Sequence, residues 1–170
     1  MSKSNQTKAQ GYEGLILRIM VGVLIIGGGA FLCNFGMQQI IELNSQPEGI
    51  VDGNLTGCSV SACISSEVLD DDDNYIAPIA LTVSPDEAIS ILETVLPRLA
   101  SAKIKEQTDG YFLVRVGGIF SDNASDLEVY VNEDAGEIQV KLEPFGANTT
   151  IEWTRGQVER LRELYEQELP

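Results

Sequence analysis

Three groups of residues in this chain have the types and spacing to do chemistry. Cys58 and Cys63, with four residues between them, are spaced for a local disulfide. A zinc site would need further Cys or His ligands nearby, and the chain has no His at all. A thioredoxin-like redox pair would favour two intervening residues. Asp126 and Glu128, alternate residues of an expected strand, share one face and offer the paired carboxylates of hydrolytic acid–base chemistry. The same alternation equally describes a wet edge. Ser65 and Ser66 have no His or Lys identifiable as an activating base, so they are expected to cap or turn the backbone. Asp70 to Asp73 would suit a hard cation, but the run lacks the spaced Asp-x-Asp-x-Asp-Gly of a calcium loop and reads as a solvated acidic loop. Without His the commonest general base and metal ligand are missing. The expectation is a non-catalytic protein with no cofactor and no metal.

The element that must position everything else is Leu15 to Met37, whose only strongly polar residues are Arg18 and Asn34. As a helix it would rise about 35 Å against a hydrocarbon core of roughly 30 Å, with the Arg18 stem able to snorkel to the headgroups. Lys3, Lys8 and Arg18 lie on its N-terminal side, and no Lys or Arg occurs between Arg18 and Arg98. That asymmetry puts the N-terminus in the cytoplasm and the larger C-terminal domain in the periplasm or an organellar lumen. The apolar run is too long for a secretory h-region, and Cys33, Asn34 and Phe35 stand where a cleavage site would want small residues, so an uncleaved signal anchor is expected. Gly22, Gly29 and Gly36 recur every seven residues, with Cys33 beside them, and would form a smooth helix-packing stripe for another membrane subunit. Glycine is also simply common in membrane helices.

The organisation expected is a disordered cytoplasmic tail (1–14), a transmembrane helix (15–41), an extended linker (42–57) and an extracytoplasmic domain (58–170). In the domain, Ile79 to Val83 reads as a strand. Ser84, Pro85, Asp86 and Glu87 then carry several helix-start signals at once, ahead of an apolar stripe of Ala88, Ile89, Leu92, Val95 and Leu96. Ala102 to Gln107 and Tyr111 to Val116 flank a Thr-Asp-Gly turn, and Leu127 to Val131 and Glu137 to Leu142 flank a second turn. In the last strand Ile138, Val140 and Leu142 alternate with Gln139 and Lys141, predicting one buried and one wet face. A closing helix is expected from Thr154, which has capping-box spacing to Gln157, with Trp153 and Val158 as a hydrophobic staple. The fold class is therefore α+β, an antiparallel sheet of about five strands covered by two helices on one face.

Residues 42 to 170 carry 8 Lys and Arg against 25 Asp and Glu, a formal charge of −17. Such a field repels phosphates, so nucleic acid is not an expected partner.

Ala62-Cys63-Ile64-Ser65-Ser66, the acidic run Asp70 to Asp73 with Asn74, and then Tyr75-Ile76-Ala77-Pro78 resemble the hallmark of domain of unknown function family 1499. That hallmark is an Asn-Cys-Val-Ser-Ser stretch leading through an acidic segment to an aromatic or His, an Ile and a Pro. The likeness continues in the order and spacing of elements to about Leu164. Where the family tends to read Phe-Val-Asp-Asp-Val-Glu-Phe, this chain has Asn123 to Val129, matching at Asp126 and Glu128. Where it reads Arg-Ser-Ala-Ser-Arg before a Gly, this chain has Lys141 to Phe145 before Gly146. The function expected is a single-pass accessory or scaffold subunit of a larger membrane complex, contacting other subunits through the transmembrane helix. The alternative is an anchored module holding an apolar ligand between sheet and helices.

Overall fold

Turn chemistry sets the register of the sheet. Asp109 and Gly110 both adopt positive φ (40° and 81°), the two-residue hairpin geometry that joins β5 (Lys103–Thr108) to β6 (Tyr111–Val116). The turn between β7 (Ser125–Asn132) and β8 (Glu137–Pro144) is closed by Asn132, whose side-chain carbonyl accepts from Ala135 N at 3.1 Å. The computed structural model describes residues 47–68, 73–118, 123–145 and 149–170. These lie within a unit that spans Asn44–Pro170. The expected tail and transmembrane helix, with Gly22, Gly29, Cys33 and Gly36, lie outside the described residues, as do Asp70 to Asp72. Among the described residues no helix is long and apolar enough to cross a membrane.

The fold is α+β, an antiparallel sheet with two helices. The main sheet runs β3-β8-β7-β6-β5, with β3 being Ile64–Ser65, and β4 (Ile79–Ala80) pairs with the far half of β8. Six strands thus replace the expected five or so, because Ile64 and Ser65 of the cysteine-containing stretch form an edge piece of their own. The strand expected over Ile79 to Val83 shrinks to its first two residues. The other edge is β5, where the register shifts between Ile104 and Glu106 in a bulge at Lys105.

Helix α1 (Pro85–Val95) starts where its signals place it: the Ser84 hydroxyl accepts from Glu87 N at 3.3 Å, and Pro85, Asp86 and Glu87 occupy the first turn. The cap of helix α2 (Ile151–Glu168) lies four residues earlier than expected. Thr150 is the cap, accepting from Trp153 N at 3.3 Å. The Thr154 hydroxyl instead donates to Ala62 O (3.0 Å), tying the helix to the cysteine-containing stretch. Trp153 therefore sits inside the helix rather than before it.

Both helices cover one face of the sheet. Phe112, Val114, Leu127, Val129, Ile138, Val140 and Leu142 from the sheet meet Leu92 and Val95 of α1 and Val158, Leu161, Leu164 and Tyr165 of α2 in one continuous core. Successive strand residues point to opposite faces, so their neighbours in sequence make the second face.

That second face is not wet. Gln139 and Lys141, expected in solvent, are buried, as are Asp126 and Glu128. The cover of Gln139, Lys141 and Glu128 is the segment expected to be an extended linker. Ile50–Val51 (β1) and Asn54–Leu55 (β2) pair as a hairpin whose turn residues, Asp52 and Gly53, have φ of 52° and 83°. Leu55 is buried against Tyr111 and Leu113. The folded domain thus takes in residues 50–57, which the sequence reading assigned to the linker.

Candidate functional site: the charged layer under the N-terminal hairpin

A cluster of ionisable groups lies on the sheet face that carries this hairpin. Register brings them together: Arg115 of β6 stands opposite Asp126 of β7, and Glu128 of β7 stands opposite Lys141 of β8. Arg115 Nε donates to Asp126 Oδ1 at 2.6 Å, while its guanidinium lies 4.4 Å over the Phe145 ring. Lys141 Nζ is 3.6 Å from Glu128 Oε1 and 3.1 Å from Glu143 Oε2, and it donates to Thr56 Oγ1 at 3.0 Å.

Glu128 is the hub. Its Oε2 accepts from the Tyr111 hydroxyl at 2.8 Å and from Gly49 N at 2.9 Å. Burial pushes its carboxyl above the ordinary carboxylate value, against the opposing pull of the Tyr111 hydrogen bond, the Lys141 charge and the Gly49 amide. Burial, together with the Glu128 charge, drives the Tyr111 phenol well above its usual range.

An amide layer continues the cover. Gln139 Oε1 accepts from Leu55 N at 3.0 Å, and Gln139 Nε2 donates to Asn54 Oδ1 at 2.9 Å. Asn132 donates to both Gly53 O and Asn54 Oδ1 at 3.2 Å. Ser59 Oγ donates to Glu143 at the far end. Asp126 and Glu128, the two carboxylates singled out for hydrolysis, do share a face, but each is buried and bound to a basic residue. A substrate would have to displace the hairpin segment to reach Glu128. The layer acts as a joint between hairpin and sheet.

The cysteine-containing stretch closes one end of that joint. Cys58 and Cys63 are linked by a disulfide with Cα atoms 5.5 Å apart. Ser65 Oγ accepts from Glu67 N at 3.0 Å, and Ser66 exchanges two bonds with Val140: its N donates to Val140 O (2.9 Å) and its Oγ accepts from Val140 N (3.1 Å). Both hydroxyls organise backbone. Asn74 donates its amide to Ser61 O at 3.1 Å and to Cys63 O. The carbonyls that follow are taken up by α2: Arg155 donates to Asp73 O and Tyr75 O, and Arg162 to Ala77 O and Pro78 O. An open groove of about 810 Å³ lies here, lined by Ser61, Asp73, Asn74, Glu152, Arg155 and Glu159 among others.

The family model described as Protein of unknown function (DUF1499) matches residues 54–143. The chain belongs to this family. No curated protein and no solved structure matches it. The DUF1499 match begins at Asn54 in β2 and ends at Glu143 in β8, so it takes in Gln139, Lys141, Glu128 and the disulfide. It stops short of α2 and of Leu164, to which the resemblance in sequence was traced. The unit that the family model spans is therefore the sheet, α1, the cysteine-containing stretch and the second strand of the hairpin.

The hairpin and its partners are the part of the site that the sequence reading missed. One signal was present: Asp52-Gly53, flanked by Val51 and Asn54, is a two-residue hairpin turn. Nothing local marks Gln139 or Lys141 as buried.

Proposed function

We propose that this DUF1499 chain is a non-catalytic, single-pass accessory or scaffold subunit of a larger membrane complex, with its acidic domain outside the cytoplasm. The observation that carries this reading is the internal use of the reactive groups. Glu128 is bound to Lys141 beneath the hairpin segment and Asp126 to Arg115 on the same face, and Ser65 and Ser66 are bound to backbone. A layer built in this way favours a domain that holds its shape and presents a surface. The apolar run Leu15 to Met37 and the charge asymmetry around it support an anchor with the N-terminus in the cytoplasm. The alternative, an apolar ligand held between sheet and helices, has no support in the packing, because Phe112, Leu92, Leu161 and Tyr165 fill that space.

The test is a native pull-down of the full chain through a C-terminal tag in mild detergent, read by mass spectrometry. The expected result is a defined set of co-purifying membrane subunits, lost in Gly29→Leu but retained in Leu24→Ala, because a bulky residue on the glycine stripe blocks close helix approach. Recovery of free monomer alone would refute the proposal.

A further inference from the structure

Residues 47–57 meet the sheet almost entirely through polar contacts. Ile50, Val51 and Asn54 are exposed, and Leu55 is the segment's one buried side chain among the described residues. The remaining attachments among the described residues are hydrogen bonds: Gly49 N to Glu128, Leu55 N to Gln139, Asn54 Oδ1 from Gln139 and Asn132, Gly53 O from Asn132, Thr56 Oγ1 from Lys141 and Thr56 O from Ser65. Water can replace each of them, so their net hold is far weaker than that of the apolar core on the opposite face. Just beyond the segment, Cys58 is bonded to Cys63, which is fully buried beside β3.

We infer that residues 47–57 are a detachable strap, which peels from the charged layer while the sheet stays folded and is stopped at Cys58 by the disulfide. Fully extended, the released residues span about 36 Å, at roughly 3.3 Å per residue. On the anchored reading above, on which this consequence rests, the strap is an adjustable tether between membrane and acidic domain. The peeling itself does not depend on that reading.

The charges beneath decide when the strap lifts. Facing Glu128 are Tyr111 from β6, Lys141 and Glu143 from β8, Asp126 with its Arg115 partner along the same face, and the Gly49 amide from the strap. The strap itself carries Glu48 and Asp52 and no cation. Covering Glu128 costs desolvation, and burial is the largest influence on its carboxyl. The closed state therefore holds the Glu128 proton more tightly than the open one, and rising pH favours opening.

Amide hydrogen exchange on the full chain in detergent micelles tests this, because Gly49 and Leu55 amides report the strap and those of Leu127 and Val129 report the sheet. In the oxidised protein the strap amides should exchange well before the sheet amides, with fast exchange ending at Cys58. Glu128→Gln keeps the acceptor oxygen and removes the charge. It should slow strap exchange at pH 7.5 and flatten its pH dependence. Leu55→Ala should speed the strap and leave the sheet unchanged. A dithiol reductant, itself closing to a cyclic disulfide, supplies the two electrons and two protons that turn the bridge into two thiols. Fast exchange should then extend past Cys58 toward Cys63. Strap and sheet amides exchanging together in every variant, or fast exchange passing Cys58 in the oxidised protein, would overturn the inference. Neither outcome bears on whether subunits co-purify.

Discussion

Lys141 Nζ and Glu128 Oε1 lie 3.6 Å apart, and each side chain is 2 % exposed. Such a pair is costly to break by removing Lys141, whereas Lys141 keeps Glu143 when Glu128 loses its charge. Attraction between two desolvated charges roughly offsets the cost of burying them, whereas a lone buried charge has no offset.

Lys141→Met leaves Glu128 and Glu143 without their common cation. Destabilisation of about 3–5 kcal/mol is expected in urea unfolding near neutral pH, shrinking in acid as Glu128 takes up a proton. The double variant Glu128→Gln with Lys141→Met should recover part of the loss. A double-mutant cycle with no coupling between the two positions would show that the pair is incidental.

The pH profile of stability has a sign that the ion pair alone would not suggest. Burial raises the Glu128 carboxyl in the folded state above its ordinary value of 4.5, so the folded state binds this proton more tightly than the unfolded one. Its contribution to stability is full below about that value and is lost as pH rises through the elevated one. Glu67, also raised chiefly by burial, acts in the same direction. Unfolding midpoints measured from pH 4.5 upward should show a falling component that Glu128→Gln removes. A profile unchanged by that variant would reject the assignment.

Cys58 and Cys63 should be recovered bonded to each other, with Cys33 as a free thiol. Peptide mass mapping under non-reducing, alkylating conditions reads this directly. Alkylation of both outer cysteines without reductant would contradict it. Closing so short a loop contributes about 2 kcal/mol at most to stability. Reduction should therefore lower the unfolding midpoint modestly and leave the sheet intact.

Tyr165 is fully buried between sheet and helices, and its hydroxyl has no hydrogen-bond partner among the described residues. Tyr165→Phe keeps the ring in the core and removes the stranded oxygen. A gain of about 1 kcal/mol is expected by thermal or urea unfolding. A clear loss of stability would mean that a partner for the hydroxyl exists.

Local signals were legible and long-range cover was not. The Ser84-Pro85-Asp86-Glu87 start of α1 and the Asp109-Gly110 turn are written in adjacent residues, and both stand where they were read. Thr150 escaped because Trp153, not Glu or Gln, sits three residues on, so capping-box spacing pointed to Thr154. Lys141 escaped for a deeper reason. A strand's alternation tells which residues share a face, and only the distant strap decides whether that face meets water. The Pro, Gly, Asn and Asp of residues 44–57 have the composition of a linker, although Asp52-Gly53 is itself a hairpin signal. The carboxylate pair was correctly placed on one face, but its burial could not be read from two residues of one strand.

The bulge at Lys105 has a consequence for crowding. A flat outer strand, with its amides and carbonyls unpaired, is a template on which the next chain can grow, and chains held on a membrane as proposed would meet at high local density. β5 instead has a kinked register at Lys105, so two copies brought edge to edge meet mismatched amides. The edge works as insulation: neighbouring copies can stand close on one surface and stay separate molecules rather than fuse into a shared fibre.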